Sequence, residues 1–293
     1  MTSEQGERTD AGSLDGAVHA AADALAGAGI GAPDALLLLA TGTRGVGSLL
    51  RSRIEVPLHD VPSAPRRWHD VPLLAGELDG SAVWLVEDAP AQDDAAPAWT
   101  RAFPVWLAAA AGTPILVHTS AGTALRQDDR DPLGVGTVVR IQDHLNLSGT
   151  TPLRGLGESR LGPLFPDQTR LHDAALARIA GDAARETGTE LASGVAACAI
   201  GPALATPAEL AWFARAGADV AVQRLAGPLI AAAHAGLRTL ALTAVTDVAG
   251  ESIEVNELVD RASRTAPALD GLVVAIASRL GAHARALAEE TGP

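Results

Sequence analysis

Short apolar runs of strand length alternate along this chain with alanine-rich stretches in which apolar residues recur at helical spacing. Strands that alternate with helices are typical of α/β folds, because each helix packs its apolar face against a sheet. We therefore predict an α/β fold with a mixed or parallel sheet. The predicted strands cover residues 35–40, 82–86, 114–118, 137–141, 194–200, 220–222 and 239–245. The predicted helices cover residues 16–28, 99–111, 169–186, 207–216, 227–235 and 255–290.

The segments that follow the predicted strands are where function is expected, since ligands in open α/β sheets bind beyond the carboxyl ends of strands. Several of these segments are rich in glycine and small polar residues. They cover residues 41–48, 88–97, 119–123, 201–209, 223–227 and 246–251. The loop over residues 145–166 is long and rich in glycine and proline, which favours a functional or subunit-contact loop over a plain connection.

Composition and charge narrow the class of protein. The chain has 293 residues, 47% of them hydrophobic, and no composition break divides it, so we expect one domain over residues 17–293. A net charge of −13 would repel a phosphate backbone, which argues against a nucleic-acid partner. The polar residues 1–16 predict a disordered tail rather than a signal peptide, and no apolar run is long enough to span a bilayer. These features favour a cytoplasmic protein without a membrane partner.

Missing residue types exclude several mechanisms. Cys198 is the single cysteine and no two histidines have HExxH spacing, so we predict neither a disulfide nor a metal site. The chain has no lysine, which excludes a Walker-type phosphate loop and Schiff-base chemistry. No GxSxG elbow is present, so an esterase-type serine is not indicated. We expect no cofactor, and we leave open phosphate or another anion as a co-substrate.

Two segments could bind a ligand when judged on their residues alone. Residues 41–48, TGTRGVGS, follow an apolar strand, and their glycines permit either an anion-binding nest or a plain turn. Residues 117–125, VHTSAGTAL, predict a strand that ends in small polar residues. The hydroxyls there either bond their own backbone or meet a ligand.

A long ordered run, residues 139–173 or VRIQDHLNLSGTTPLRGLGESRLGPLFPDQTRLHD, resembles the trimeric purine nucleoside phosphorylase family. The resemblance covers roughly residues 35–290. It implies a three-layer single domain in which helices flank a central mixed β-sheet. It also implies a homotrimer with sites near subunit boundaries, in which Phe165 reaches into the neighbouring subunit's sugar site.

The resemblance assigns candidate positions on the phosphate side of the site. Thr41 or Thr43 is the nearest match to a serine that binds phosphate in the family. A family turn whose backbone meets phosphate and base matches Thr119, Ser120 and Ala121, with Thr119 in place of the usual asparagine.

The resemblance also assigns positions on the base and ribose side. Leu204 replaces an aromatic that stacks on the base, and Ala205 replaces a glutamate that holds the N1 edge of a 6-oxopurine. Gln223 and Arg224 stand where the family has Met-Ser, and Arg224 could bind an anion or pair with a nearby carboxylate. Asp247 replaces an asparagine that binds N7 and O6, as in the methylthioadenosine branch. A carboxyl group there could protonate a leaving base, and the alternative is a helix cap.

Several family groups that hold phosphate are replaced. Counting without gaps places Ala89 and Ala91 at an arginine and a histidine, with Asp93 and Asp94 nearby, and carboxylates repel phosphate. Leu74 replaces an earlier histidine. The replacements predict a divergent member in which ordinary phosphorolysis is lost or altered.

Three functions remain open at this point. The first is a purine nucleoside phosphorylase-like protein that binds a nucleoside or purine-like small molecule. The second is a nucleosidase or other glycosyl-cleaving enzyme with Asp247 as general acid. The third is a non-catalytic partner of an active paralogue. Whether the chain is an enzyme is left open: if active it belongs among the glycosyltransferases of nucleoside metabolism, and otherwise it is a pseudoenzyme.

Overall fold

The computed structural model describes residues 13–39, 45–87, 96–125, 132–251 and 254–291. The strands within these ranges are β1 (Ala35–Leu39), β2 (Arg51–Pro57), β3 (Pro72–Leu78), β4 (Ser81–Glu87), β5 (Ile115–Ala124), β6 (Val138–Asn146), β7 (Leu191–Ala199), β8 (Val220–Gln223) and β9 (Arg238–Val248). The helices are α1 (Leu14–Gly27), α2 (Gly45–Ser48), α3 (Phe103–Ala110), α4 (Ala174–Thr187), α5 (Pro207–Arg215), α6 (Ala226–His234) and α7 (Val255–Thr291).

The nine strands form one mixed sheet in the order β2-β3-β4-β1-β5-β8-β7-β6-β9. β1 lies parallel to both β4 and β5, whereas β5 pairs antiparallel with β8 and parallel with β9. Because β9 pairs with β6 as well as with β5, strands β5, β8, β7, β6 and β9 close into a barrel-like ring. The prediction of a mixed sheet is therefore confirmed.

Two apolar layers enclose this sheet. The side chains of β1 are all buried, and alternate residues point to opposite faces. Leu36 and Leu38 belong to a core shared with α1, α3 and α6, whereas Leu37 and Leu39 belong to a core shared with α4 and α7. The expected three-layer arrangement is confirmed, with helices on both faces of the sheet.

The predicted elements are all present, with some different ends. Helix α1 begins at Leu14, inside the segment expected to form a tail, because Ser13 Oγ accepts a hydrogen bond from Gly16 N. Residues 1–12 lie outside the described ranges. Helix α4 begins later than expected, after Asp173, whose carboxylate accepts from two backbone N–H groups of the first turn.

Two strands were missed. β2 has five exposed residues in a row at the edge of the sheet and therefore lacks an apolar period. β3 pairs with it and with β4. The prediction that β5 ends at residue 118 was also wrong, since the strand continues to Ala124 through pairing with β8 and β9. In the described part of the chain, no helix is long and apolar enough to cross a membrane.

Candidate active site

A cavity of about 430 Å³ opens where the later halves of β5 and β9 meet the end of β8. The first turns of α7 cover it with Leu258, Val259, Ala262 and Ser263. Seven predicted site residues line this cavity: Thr119, Ser120, Ala121, Leu204, Gln223, Arg224 and Asp247. The fold thus brings together residues from four separate segments of the sequence.

The floor of the cavity is strand β5. Thr119, Ser120 and Ala121 lie within this strand, so the prediction that they form a turn was wrong. The Ser120 and Thr243 hydroxyl oxygens are 2.7 Å apart across the β5–β9 pairing, and both residues are buried. Gly122 allows β8 to approach, because a Cβ there would lie 2.8 Å from the carbonyl oxygen of Ala221. The floor is a hydrogen-bonded strand surface with its polar groups paired.

Asp247 is the second-last residue of strand β9 and does not lie at the start of a helix. The β5–β9 register shifts between Gly122 and Thr123, so Thr246 has no direct partner on β5 and the strand bulges there. Thr246 Oγ1 donates to Asp247 Oδ1 at 2.9 Å and lies 3.4 Å from the carbonyl oxygen of Gly122. Because Asp247 lies in β9 and α7 begins only at Val255, the helix-cap alternative is wrong.

Gln223 and Arg224 form the wall at the end of β8. The side-chain amide of Gln223 donates to the carbonyl oxygen of Ala203 at 2.9 Å, and the side chain packs directly on Gly201. Arg224 has φ of +60°, a left-handed conformation that costs a non-glycine residue on the order of 1 kcal/mol or more. Its backbone N–H donates to Ala199 at 3.3 Å. The wall therefore places a guanidinium group on a backbone turn that L-residues rarely adopt.

The turn before α5 places Leu204 and Ala205 differently. Leu204 lines the cavity and is half exposed. Ala205 does not line it, because its side chain packs against a small apolar cluster that includes Phe213. The prediction that Ala205 contacts the ligand stays a prediction. The expected helix start is confirmed, because Thr206 and Glu209 form a reciprocal capping box.

Comparison with known proteins identifies the family. The model of the Phosphorylase superfamily matches residues 34–278. Purine nucleoside phosphorylase of Cellulomonas sp is 30% identical over 280 residues, which cover 89% of this chain and 92% of that relative. This chain belongs to the purine nucleoside phosphorylase family.

Other family members agree with this assignment. Purine nucleoside phosphorylase 1 of Geobacillus stearothermophilus is 28% identical over 220 residues, 74% of this chain and 79% of the relative. A crystal structure of a Schistosoma purine nucleoside phosphorylase in complex with hypoxanthine superposes with a TM-score of 0.79. The two sequences are 22% identical, and the superposition covers 88% of this chain and 95% of the Schistosoma chain. This similarity confirms the fold.

Some predicted site residues do not line this cavity or lie outside the described residues. Phe165 is 89% exposed and does not line the cavity within this chain. Thr41 and Thr43 lie outside the described residues, and so do Ala89 and Ala91. The structure therefore describes the base side of the candidate site more fully than the phosphate side.

The sequence alone did not identify every lining residue. His118 is buried at the edge of the cavity, where its Nδ1 donates to the carbonyl oxygen of Leu38 at 2.8 Å. Val259 of α7 is exposed and lines the cavity. An apolar residue on the polar face of a predicted helix is the sequence signal that could have identified it. Cys198 contributes no thiolate, because burial raises its pKa to about 12.

Proposed function

We propose that this phosphorylase-family chain binds a nucleoside or another purine-like small molecule between β5, β9 and α7, and that its ordinary phosphorolysis is lost or altered. The observation that carries the proposal is the cavity of about 430 Å³ that gathers Asp247, Arg224 and Leu204. Pockets for small molecules have volumes on the order of 300–1,000 Å³ and combine apolar walls with a few converging polar groups.

Asp247 supplies the group that would recognise the base. A carboxylate accepts hydrogen bonds from an exocyclic amino group, and a protonated carboxyl group can donate to a ring nitrogen. The bond from Thr246 holds one carboxyl oxygen in place, so the second is oriented without the ligand. The solved neighbours include Schistosoma enzymes in complex with hypoxanthine, adenosine and inosine, ligands of the class proposed here.

The phosphate side of the cavity supports altered chemistry. Among the described lining residues, Arg224 carries the only permanent positive charge. An anion bound by Arg224 would meet the carboxylate of Asp247 in the same cavity, which opposes its binding.

A second candidate function is cleavage of the glycosidic bond by water, as in a nucleosidase. Asp247 would then protonate or hydrogen-bond the leaving base, because negative charge builds on the base as the bond breaks. The strand-end position of Asp247 inside the cavity favours this alternative over a purely structural aspartate.

We further propose assembly as a homotrimer, since the ring of Phe165 projects from the long loop with 89% of its surface exposed. Burial of such a ring against a neighbouring subunit is favourable by about 2 kcal/mol. A non-catalytic partnership with an active paralogue stays a further possibility, and size measurement of the purified chain with and without that paralogue separates the two assemblies.

Calorimetry and product analysis test the proposed function. Adenosine, inosine and methylthioadenosine are each added with and without phosphate. We expect binding without phosphate-dependent release of the base. Asp247→Asn should weaken binding of adenosine and methylthioadenosine by roughly 10- to 100-fold, because their 6-amino group loses a hydrogen bond to a charged carboxylate, which contributes about 1.5–3 kcal/mol.

The control variant is Asp60→Asn, which makes the same change at an exposed carboxylate outside the cavity and should leave binding unchanged. Phosphate-dependent release of hypoxanthine or adenine at an ordinary enzyme rate would contradict the proposal. Base release that needs no phosphate and disappears in Asp247→Asn would favour the nucleosidase.

A further inference from the structure

Three ligand-type side chains meet at the opposite end of β9 from the cavity. Asp143 and His144 lie in the second half of β6, and His172 precedes α4, where its backbone bridges to Thr239. One nitrogen or oxygen atom of each side chain lies within 4.8 Å of the others. We call these three residues the histidine cluster. It is separated from Asp247 by most of β9, about 25 Å of extended chain.

The imidazoles of the cluster have unpaired nitrogens. Nδ1 of His144 and both ring nitrogens of His172 are buried, and none has a hydrogen-bond partner among the described residues. A buried polar atom without a partner costs about 1–3 kcal/mol. Three such atoms in one place are therefore an arrangement that an added partner would stabilise.

The two rings are oriented so that a shared partner can reach them. Their centroids are 5.8 Å apart and their planes meet at 73°, so the rings approach edge to face rather than stack. Burial lowers the pKa of His172 to about 4 and lowers the pKa of His144 below its usual range. Burial thus favours the neutral form of both rings, and neutral imidazole is the form that binds a metal ion.

Charged groups on β6 and at the start of α4 lie around the cluster. Arg140 is a cation whose charge acts on His172, and its guanidinium donates to Ser193 Oγ at 2.6 Å. Asp173 accepts two backbone hydrogen bonds through Oδ1 as the cap of α4, and its carboxylate lies 3.8 Å from Arg238 Nε and 3.8 Å from His283 Nε2. Asp143 is exposed, which gives solvent access to the cluster. One of its oxygens accepts from His144 N at 2.8 Å.

We propose that the histidine cluster is a binding site for one divalent transition-metal ion, with the carboxylate of Asp143 and the imidazoles of His144 and His172 as ligands. Two imidazoles and a carboxylate match the preferences of Zn²⁺ and of related divalent ions. The proposal is independent of the function assigned to the cavity. It departs from the prediction that the chain has no metal site.

The geometry requires a modest closure of the cluster. Ligand atoms about 2.0–2.2 Å from a zinc ion stand roughly 3.4 Å apart in a tetrahedral site, so the side chains must move together by about an ångström. The unpaired nitrogens break no hydrogen bond in that movement. Three protein ligands leave at least one coordination position for water, which enters from the exposed side of Asp143.

Titration with ZnCl₂ tests the site on the full chain after chelator treatment and removal of the chelator. We expect saturable binding of one ion per chain by calorimetry, and tetrahedral-type absorption bands when Co²⁺ replaces Zn²⁺. His172→Leu and Asp143→Asn should each weaken binding by at least about tenfold, a loss that even outer ligand partners can cause.

Two controls keep the result interpretable. His59→Leu removes an exposed imidazole outside the cluster and should leave zinc affinity unchanged. Asp143→Asn changes only an exposed side chain and should fold, so its zinc affinity tests the site even if His172→Leu fails to fold. Circular dichroism checks the fold of each variant. The absence of saturable binding, or equal zinc affinity in the parent and Asp143→Asn, overturns the proposal.

Discussion

The cavity and the histidine cluster, two regions that both contact β9, contain polar residues in opposite states. At the cavity, buried polar side chains are bonded to one another or to backbone: Ser120 to Thr243, Thr246 to Asp247, and His118 to Leu38. At the histidine cluster, three buried ring nitrogens have no partner among the described residues. The same strand thus supports one polar region that is complete and one that is not.

The difference separates two kinds of site. A region whose hydrogen bonds are already made holds its side chains in fixed positions, so it can meet a ligand without reorganising. A region with unpaired atoms is destabilising by itself and gains from any occupant that supplies the missing partner. Variants that remove polar atoms should therefore have opposite consequences at the two ends of β9.

The largest expected effect is at the cavity floor. Thr243→Val keeps the shape of the side chain but leaves the buried hydroxyl of Ser120 without its partner. We expect the free energy of unfolding to fall by roughly 1–3 kcal/mol, the cost of an unpaired buried polar group. Urea denaturation of parent and variant measures this difference.

A double-mutant cycle isolates the hydroxyl pair. Ser120→Ala combined with Thr243→Val removes both partners, so the double variant should lose less stability than the sum of the single changes. Strict additivity, or a loss under about 0.5 kcal/mol for Thr243→Val, would mean that the hydroxyl pair does not stabilise the cavity floor.

The layers and most elements could be predicted because they depend on local pattern. The run ALLLL of β1 is buried on both sides, and such continuous apolar runs predict central strands. Asp247 could be placed near the end of a strand for the same reason, although β9 continues past it to Val248. The edge strand β2 could not be predicted, because its residues are exposed and its pairing with β3 is a tertiary property.

The parts of the site that escaped prediction depend on contacts between distant segments. The continuation of β5 through Ser120 requires both β8 and β9 as partners. Ala205 packs against the apolar cluster that includes Phe213 and does not line the cavity. His144 and His172 lie far apart in sequence and meet only because the segment before α4 pairs with the start of β9.

A smaller effect is expected at the cavity wall. Leu204→Phe adds an aromatic ring at a half-exposed position of the lining. An aromatic pair contributes about 0.5–1.5 kcal/mol beyond burial, so adenosine should bind roughly two- to tenfold more tightly. Calorimetry measures the change, and Leu49→Phe, at an exposed leucine outside the cavity, is the matched control. Unchanged affinity in Leu204→Phe would place the purine ring away from this wall.

The smallest expected change in the free energy of unfolding is at the histidine cluster, and the sign of that change tests the proposal. In metal-free protein, His172→Leu removes two nitrogens that bond to nothing described, so the free energy of unfolding should stay within about 0.5 kcal/mol or rise. The same substitution at His118, whose Nδ1 donates to Leu38, should destabilise. With zinc present, His172→Leu should instead have a lower free energy of unfolding than the parent, because binding to the native state stabilises only the chain that retains its ligands. A large loss for His172→Leu without metal would mean that the cluster is already satisfied, and the contrast between the two ends of β9 would disappear.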